Sequence, residues 1–330
     1  VGCISKRGGT KLLECGQNVD AQKLVDAYWS IASSNPYFNF PLRVLEQDRN
    51  FFTTPLRGLK PDFRGRSAIV TLMANEGSYF TQSLNEDRFS WKGKVQSTTE
   101  LDYKAAVDEV LYNYPEELRL KAAAKYKESD RTATGEIMKH YGDAISQLVS
   151  DYHFVCGTLK FVDRLIENNY KVYLGGFDHI ISSNQHPHWM GAMHGYEIEL
   201  VFGLPLINQT YTKDERGLAS TIMSYWANLA KSDNPNQPEK TLAVWKANEH
   251  KGDRYFLVFG PGNTVLTIPH WLGQKCEFLE ELRVEANNAC VNNIGSSMQQ
   301  IFASRIQRQQ QQDQLWCPKR NPIKAQVSTT

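Results

Sequence analysis

Two short apolar runs with helical sequence between them constrain the fold of this chain most. Residues 67–77 read SAIVTLMANEG, an apolar run that stops at Asn-Glu-Gly, and residues 170–179 read YKVYLGGFDH. Such runs are typical of parallel strands buried on both faces. Between them lie a charge-rich helical stretch at 100–130 and a long amphipathic helix pattern at 144–169. The order strand, helices, strand predicts an α/β fold with a parallel sheet.

The remaining patterns add two helices and a hairpin. Residues 20–32 place their apolar side chains on one helical face behind an aspartate that can cap the helix. Residues 254–269 predict two short strands around Gly-Pro-Gly-Asn. Residues 211–236 predict a helix that ends at Asp-Asn-Pro, with these side chains facing inward: Leu218, Ile222, Tyr225, Trp226 and Leu229.

The overall charge argues against one class of partner. The 330 residues carry 37 basic and 36 acidic side chains, a formal net charge of +1, and no dense Lys/Arg patch precedes the tail. We therefore expect no nucleic-acid partner. No run approaches the roughly twenty apolar residues that a membrane-spanning helix needs, and the first residues lack a signal-peptide pattern.

The six cysteines argue against a metal but leave their pairing open. Their spacing contains no Cys-x-x-Cys pair and no zinc-like grouping with histidine, so we predict neither a metal nor a cofactor. Cys3 and Cys15 bracket a Gly-rich loop that a disulfide could close, although other pairings remain open. Asn208-Gln-Thr, the only glycosylation sequon, follows a Leu-Pro that ends an apolar segment, as a surface acceptor site should.

A carboxylate and a histidine fall where a catalytic pair would. In α/β hydrolases the chain order is Ser, then Asp or Glu at a strand end, then His on a later loop. Glu76 stands just past the first predicted strand, and His194 lies in Met-His-Gly before an alternating Tyr-Glu-Ile-Glu-Leu segment. Such a carboxylate fixes the imidazole tautomer while the other ring nitrogen takes a proton. The ordinary alternatives are a loop histidine bonded to backbone and a glutamate that is solvated or caps a helix.

Four stretches make a family resemblance specific. They are WMGAMHGYEIELVFGLPL at 189–206, NEGSYF at 75–80, YWANLAKSDNPN at 225–236 and FNF at 38–40. In order and separation they resemble the C-terminal part of the cholinesterases, within the carboxylesterase family, from about Gly2 to Cys276. The resemblance implies a single α/β-hydrolase domain, with helices on both faces of a mostly parallel sheet, whose C-terminal part occupies residues 1–283. Residues 284–330 would form a polar, Gln-rich tail that is a candidate association segment.

The resemblance also implies roles for particular residues. Glu76 and His194 would be the acid and base of a serine esterase triad. Phe38 and Phe40 would line an acyl pocket that restricts the ester to a small acyl group such as acetyl. Tyr79 would face the choline, where a quaternary ammonium over the ring gains about 0.5–2 kcal/mol of cation–π stabilisation. The aromatic gorge and the surroundings of the site would be completed by Phe80, Trp189 and Glu197. For each aromatic, the ordinary alternative is a core residue.

The implied reaction is hydrolysis of acetylcholine to choline and acetate through an acyl-serine. The partner is then a small choline ester. Two alternatives stay open. A general carboxylesterase of the same fold would want a roomier acyl pocket than Phe38 and Phe40 allow. A cholinesterase-like adhesion protein, which binds partner proteins and has lost catalysis, has no use for an acid and a base placed like Glu76 and His194.

Family members are typically secreted or membrane-attached, disulfide-bonded and glycosylated. The resemblance therefore implies an extracellular protein, synaptic or membrane-attached in some forms, with disulfides Cys3–Cys15 and Cys156–Cys276. Cys317 in the tail is then a candidate interchain cysteine of a homo-oligomer. The alternatives are a pairing of Cys290 with Cys317, or free thiols.

One motif of the family is missing from these residues. No Gly-x-Ser-x-Gly nucleophile elbow occurs in the 330 residues, and the first residue is Val rather than Met. We therefore expect the C-terminal part of a longer esterase that lacks its N-terminal strands. It should be inactive alone, because acid and base have no serine to activate. The strands near Val70 and Val172 should lack neighbouring strands, and autonomous folding should be poor.

Overall fold

A computed structural model describes these parts of the chain: residues 14–33, 66–84, 89, 98–128 and 140–298. The chain divides into two units, Val1–Leu56 and Arg57–Thr330. The first unit contains α1 (Ala21–Ser33), which confirms the helix predicted at 20–32. Oδ1 of Asp20 accepts the backbone N–H groups of Gln22 and Lys23, so this aspartate caps the helix as expected.

The second unit is built on a four-stranded sheet with the strand order β1-β2-β3-β4. Its strands are β1 (Ser67–Met73), β2 (Lys171–Phe177), β3 (Tyr255–Gly260) and β4 (Thr264–Pro269). β1 pairs in parallel with β2, and β2 in parallel with β3, whereas β4 returns antiparallel to β3. The two predicted parallel strands and the predicted hairpin are therefore confirmed.

Helices occupy most of the sequence between these strands. In chain order they are α2 (Ser78–Thr81), α3 (Glu100–Val110), α4 (Glu116–Glu128), α5 (His140–Ser150), α6 (Cys156–Glu167), α7 (Glu197–Val201), α8 (Leu204–Ile207), α9 (Lys213–Ser232) and α10 (Cys276–Met298). Short 3₁₀ segments lie at Gln82–Leu84, His188–Met190 and Pro261–Asn263. None of the helices in the described ranges is long and apolar enough to cross a membrane. The domain boundary predicted after residue 283 falls within α10 and stays a prediction.

The long helix predicted at 144–169 contains one irregular turn. α5 and α6 are joined by a π-helical turn, Asp151–Val155. A π turn inside a helix shifts the following side chains relative to regular spacing and is frequent at functional sites. The helix predicted at 211–236 is regular. It is α9, which begins with a capping box between Thr212 and Glu215.

Each face of the sheet carries its own core because successive strand residues point to opposite sides. Leu72, Val172 and Phe256 pack with the apolar side of α6 on one face. Met73, Tyr173 and Leu257 pack on the other face with Leu218, Ile222 and Tyr225 of α9. The predicted fold class, a mostly parallel sheet flanked by helices, is therefore confirmed.

One expectation about the sheet is wrong. The strand around Val172 does not lack neighbours, since β2 lies between β1 and β3, and Val172 is fully buried. The next strand along the chain, β3, supplies the second neighbour. Among the described residues, β1 pairs only with β2, and its first five residues, including Val70, are only partly buried.

A disulfide joins the beginnings of two helices. Cys156, the first residue of α6, is bonded to Cys276, the first residue of α10, with a Cα–Cα distance of 5.2 Å. This pairing was predicted and is confirmed. Cys15 is disulfide-bonded, but Cys3 lies outside the described residues, so the Cys3–Cys15 pairing stays a prediction. The side chain of Cys290 and all of Cys317 also lie outside the described part.

Candidate active site

A tight turn after β1 positions Glu76. The residue is 5% exposed, and its Oε1 accepts the backbone N–H of Met73 at 2.9 Å. Gly77 follows and lets the turn approach α5 closely. A Cβ at this position would lie 2.4 Å from the backbone oxygen of Ser146. The sequence Glu-Gly thus places a buried carboxylate at the carboxyl end of β1.

The loop after β2 carries His194 and is joined to that turn. The backbone N–H of Asn75 donates to the carbonyl of Ala192 at 3.0 Å, and Oδ1 of Asn75 accepts the N–H of Ala192 at 3.1 Å. The hydroxyl of Ser78 donates to the carbonyl of Met190 at 2.6 Å. Because β1 and β2 are parallel neighbours, their carboxyl ends lie side by side, and the two segments meet there.

Glu76 and His194 are directly hydrogen-bonded. Nδ1 of His194 lies 2.6 Å from Oε2 of Glu76. The glutamate side chain is 7% exposed and the histidine side chain 46% exposed, so one partner is buried and the other reaches the surface. The hydrogen bond to Glu76 raises the pKa of His194, and partial burial of the ring opposes this effect. The arrangement fixes the orientation of the imidazole and leaves its other side accessible.

Aromatic rings surround the imidazole. The ring centroids of Phe80 and Phe154 lie 5.4 Å and 5.0 Å from that of His194, and the two phenylalanines stack on each other at 5.2 Å. Tyr79 meets Phe80 edge-on at 5.2 Å. Phe154 was missed by the sequence reasoning. It comes from the π turn Asp151–Val155, and a regular helical period gives no signal for such a turn.

Glu197 places a second carboxylate near the pair. It is the first residue of α7, and its Oε2 is buried with no hydrogen-bond partner among the described residues. Burial raises the pKa of Glu197, and the charge of Glu76 adds to this effect. Its own backbone N–H and the positive charge of His194 oppose it. The charge of Glu197 in turn acts to raise the pKa of His194.

No ring contact with His194 is seen for the other predicted aromatic site residues within the residues that the structure describes. Trp189 is half-buried and packs against Phe89, with ring centroids 6.4 Å apart. Phe38 and Phe40 lie outside the described residues, so their role in an acyl pocket stays a prediction. In the described part of the chain, no group of three or more His, Cys, Asp or Glu side chains could hold a metal ion.

The sequon at Asn208 lies on the surface. Asn208 is exposed directly after α8. Its Oδ1 accepts the backbone N–H of Thr210 at 3.0 Å and the Thr210 hydroxyl at 2.9 Å. The acceptor asparagine and the threonine of the sequon are therefore in contact and open to solvent. Glycosylation itself stays a prediction.

The fold and the pair together define the class of the protein. An acid at the end of one strand of a mostly parallel sheet is bonded to a histidine on a later loop, which is the arrangement of acid and base in α/β hydrolases. The carboxylesterase family model matches residues 1–270. The chain therefore belongs to the carboxylesterase family.

Two relatives are similar over most of the chain. Acetylcholinesterase of Bungarus fasciatus is 28% identical over 298 residues, which cover 86% of this chain and 46% of the snake protein. Acetylcholinesterase 4 of Caenorhabditis briggsae is 28% identical over 330 residues, which cover 93% of this chain and 53% of the nematode protein. The chain thus spans about half the length of these relatives.

Proposed function

We propose that the protein carrying this chain is a serine ester hydrolase of the acetylcholinesterase type. It would hydrolyse acetylcholine to choline and acetate through an acyl-serine. The observation that carries the proposal is the 2.6 Å contact between Nδ1 of His194 and Oε2 of Glu76 in a member of the carboxylesterase family. Two relatives that bear the name acetylcholinesterase support the choice of substrate.

In this proposal His194 acts in both halves of the reaction. Nδ1–H donates to Glu76, so Nε2 is free to take the proton of a serine hydroxyl as that oxygen attacks the ester carbonyl. The imidazolium then gives the proton to the leaving choline oxygen. In the second half, His194 takes a proton from water as the water oxygen attacks the acetyl carbonyl. The imidazolium then returns this proton to the serine oxygen as the C–O bond to serine breaks, and the acetic acid released ionises to acetate. Glu76 stabilises the imidazolium in both halves.

The serine nucleophile that this mechanism needs is not among the 330 residues. No Gly-x-Ser-x-Gly segment occurs in the 330 residues, so we assign the serine to sequence beyond them. The chain by itself would then supply acid and base without a nucleophile. It should not form an acyl-enzyme.

The side chains around the pair suit a small cationic ester. Phe80 presents an aromatic ring beside His194, and Tyr79 meets Phe80 edge-on. A quaternary ammonium gains about 0.5–2 kcal/mol over such a ring. Glu197 adds a carboxylate whose negative charge acts on His194. Phe38 and Phe40 would restrict the acyl group, and Trp189 would extend the aromatic wall.

An extracellular location completes the proposal. The Cys156–Cys276 disulfide is typical of proteins from oxidising compartments. The exposed Asn208 is suited to carry a glycan. We further propose that the tail at 284–330 mediates a homo-oligomer, with Cys317 as its interchain cysteine.

The decisive experiment reads the transcript upstream of Val1 and then assays the full-length protein. A Gly-x-Ser-x-Gly segment upstream, with hydrolysis of acetylthiocholine well above that of butyrylthiocholine, supports the proposal. Similar rates on both thioesters would favour a general carboxylesterase. An elbow without serine, or a full-length protein that hydrolyses neither ester, would favour the adhesion-protein alternative. Either result would contradict both the acetylcholinesterase and the general carboxylesterase hypotheses.

A further inference from the structure

Asn75 links the segment that carries the acid to the segment that carries the base. It directly precedes Glu76, and it contacts Ala192, which lies two residues before His194. The contact has two hydrogen bonds. The backbone N–H of Asn75 donates to the carbonyl of Ala192 at 3.0 Å, and its side-chain Oδ1 accepts the N–H of Ala192 at 3.1 Å.

The side-chain bond satisfies a buried backbone donor. Ala192 is 1% exposed, so its N–H needs a protein partner, and the Oδ1 of Asn75 is the acceptor within reach. Gly191 makes room for that oxygen. A Cβ on Gly191 would lie 2.1 Å from Oδ1 of Asn75. The amide is therefore seated directly against the backbone of the loop that leads to His194.

Two bonds from one residue fix more than a distance. The backbone bond to Ala192, the parallel bridge between Asn75 and Met193, and the Ser78–Met190 bond already hold this loop to the turn after β1. The side-chain bond of Asn75 adds a further restraint at Ala192, two residues before His194. A shift of about 1 Å at such a point can lower the rate of a positioned proton transfer by about a hundredfold.

We propose that Asn75 is a positioning residue for the acid–base pair. Asn75 holds the His194 loop at the distance where Nδ1 of His194 is hydrogen-bonded to Glu76. The proposal rests on the proposed function only for its kinetic readout. The hydrogen bond between His194 and Glu76 can be observed whether or not the protein hydrolyses an ester, so the two proposals can fail separately.

The test uses the full-length protein with ¹⁵N-labelled histidine, and compares Asn75→Ala and Asn75→Asp with a matched control. In Asn236 an amide Oδ1 likewise accepts the N–H of a buried residue, Trp245, at 2.7 Å. This bond lies apart from the pair. Asn236→Ala should therefore lower thermal stability and leave the His194 signals unchanged.

We expect Asn75→Ala to lose or shift the hydrogen-bonded Nδ1–H resonance of His194. The midpoint of the His194 titration should fall, because the bond to Glu76 raises the pKa of His194. Asn75→Asp keeps an acceptor oxygen at the same place and should restore the resonance. On acetylthiocholine, kcat of Asn75→Ala should fall about tenfold to a hundredfold with KM little changed.

The proposal would be overturned if Asn75→Ala kept the wild-type resonance and titration midpoint and lost only stability, as the Asn236→Ala control does. Asn75→Leu, which fills the same volume without an acceptor, takes its place if the alanine variant does not fold. A wild-type protein with the resonance but without esterase activity would contradict the proposed function alone, and the resonance would still decide the role of Asn75.

Discussion

Oε2 of Glu76 lies 2.6 Å from Nδ1 of His194, while Oε1 of the same carboxylate accepts the backbone N–H of Met73 at 2.9 Å. Met73 is the last residue of β1. The carboxylate is therefore oriented by the end of the strand itself, and it transmits that orientation to the imidazole. Substitutions of neighbouring residues should therefore change the packing around the pair and the pKa of His194 in ways that can be measured separately.

Gly191→Ala should destabilise the protein through a clash at the pair. Gly191 has φ 61°, and an added Cβ would lie 2.1 Å from Oδ1 of Asn75. Gly262 has a similar φ, 64°, but ψ is 27° there and −149° at Gly191, and nothing lies within 4 Å of the position of a Cβ on Gly262. Gly262→Ala should therefore cost only the left-handed backbone term, about 1–2 kcal/mol. Gly191→Ala should cost clearly more, because it adds the clash with Asn75 and a backbone conformation essentially restricted to glycine. Urea denaturation measures both, and equal losses would contradict the clash.

Phe154→Ala should raise the pKa of His194. Partial burial of the imidazole lowers this pKa, and Phe154 supplies part of that burial through its ring contact at 5.0 Å. Removing the ring admits water and favours the charged form. An NMR titration of His194 measures the midpoint. Phe161→Ala on α6 is the control, since Phe161 is 52% exposed. An unchanged or lower titration midpoint in Phe154→Ala would contradict the prediction that Phe154 lowers the pKa of His194.

Glu215→Gln should make the free energy of unfolding less dependent on pH at acidic pH. Glu215 is 1% exposed, and burial acts to raise its pKa, but hydrogen bonds from Ser182, Thr212 and His179 outweigh burial and lower the pKa to about 2. A lowered pKa stabilises the fold above the ordinary value of 4.5, and this contribution is lost as the pH falls toward about 2. Glutamine does not ionise in this window.

The measurement is urea unfolding of wild type and Glu215→Gln at several pH values across that window. The free energy of unfolding should fall less steeply in the variant as the pH decreases. Thr212→Ala, which removes one hydroxyl donor to Glu215, should give an intermediate slope. Parallel curves for all three proteins would mean that the pKa of Glu215 is the same in the folded and unfolded states, and would contradict the lowered pKa.

Breaking the Cys156–Cys276 disulfide should lower the free energy of unfolding by about 2–5 kcal/mol, because the bond restricts the conformational freedom of the unfolded chain. The two cysteines are 120 residues apart in sequence. Chemical denaturation of the double serine variant measures the loss. Cys156 directly follows the π turn that carries Phe154, so the variant should loosen the aromatic contact with His194. An unchanged unfolding midpoint would contradict the stabilising role.

The strands and the acid–base pair could be predicted because their signals are local. The apolar run ending at Asn-Glu-Gly predicted β1 and the position of Glu76, and Gly-Pro-Gly-Asn predicted the β3–β4 turn. The neighbours of Val172 could not be predicted, because strand pairing depends on how distant segments pack. The alternating segment that follows Gly195 forms a short helix, Glu197–Val201, since five residues carry too little periodicity to decide between strand and helix.

The positioning contacts were also beyond the sequence. Phe154 reaches His194 only because the helix contains a π turn, which regular helical spacing does not reveal. Asn75 has no motif of its own, and its role depends on a loop more than a hundred residues away in the chain. The sequence therefore indicated Glu76 and His194 as the proposed acid and base, whereas the structure shows the contacts that Asn75 and Phe154 make around them.

The most informative measurement is the pH dependence of acetylthiocholine hydrolysis by full-length wild type, Glu76→Gln and His194→Ala. His194→Ala should lose at least about a thousandfold in kcat, because the serine has no base. Glu76→Gln should be slower than wild type, and the acidic limb of its profile should move to lower pH, because Glu76 raises the pKa of His194. A His194→Ala protein that hydrolysed the ester at the wild-type rate would contradict the assignment of the pair.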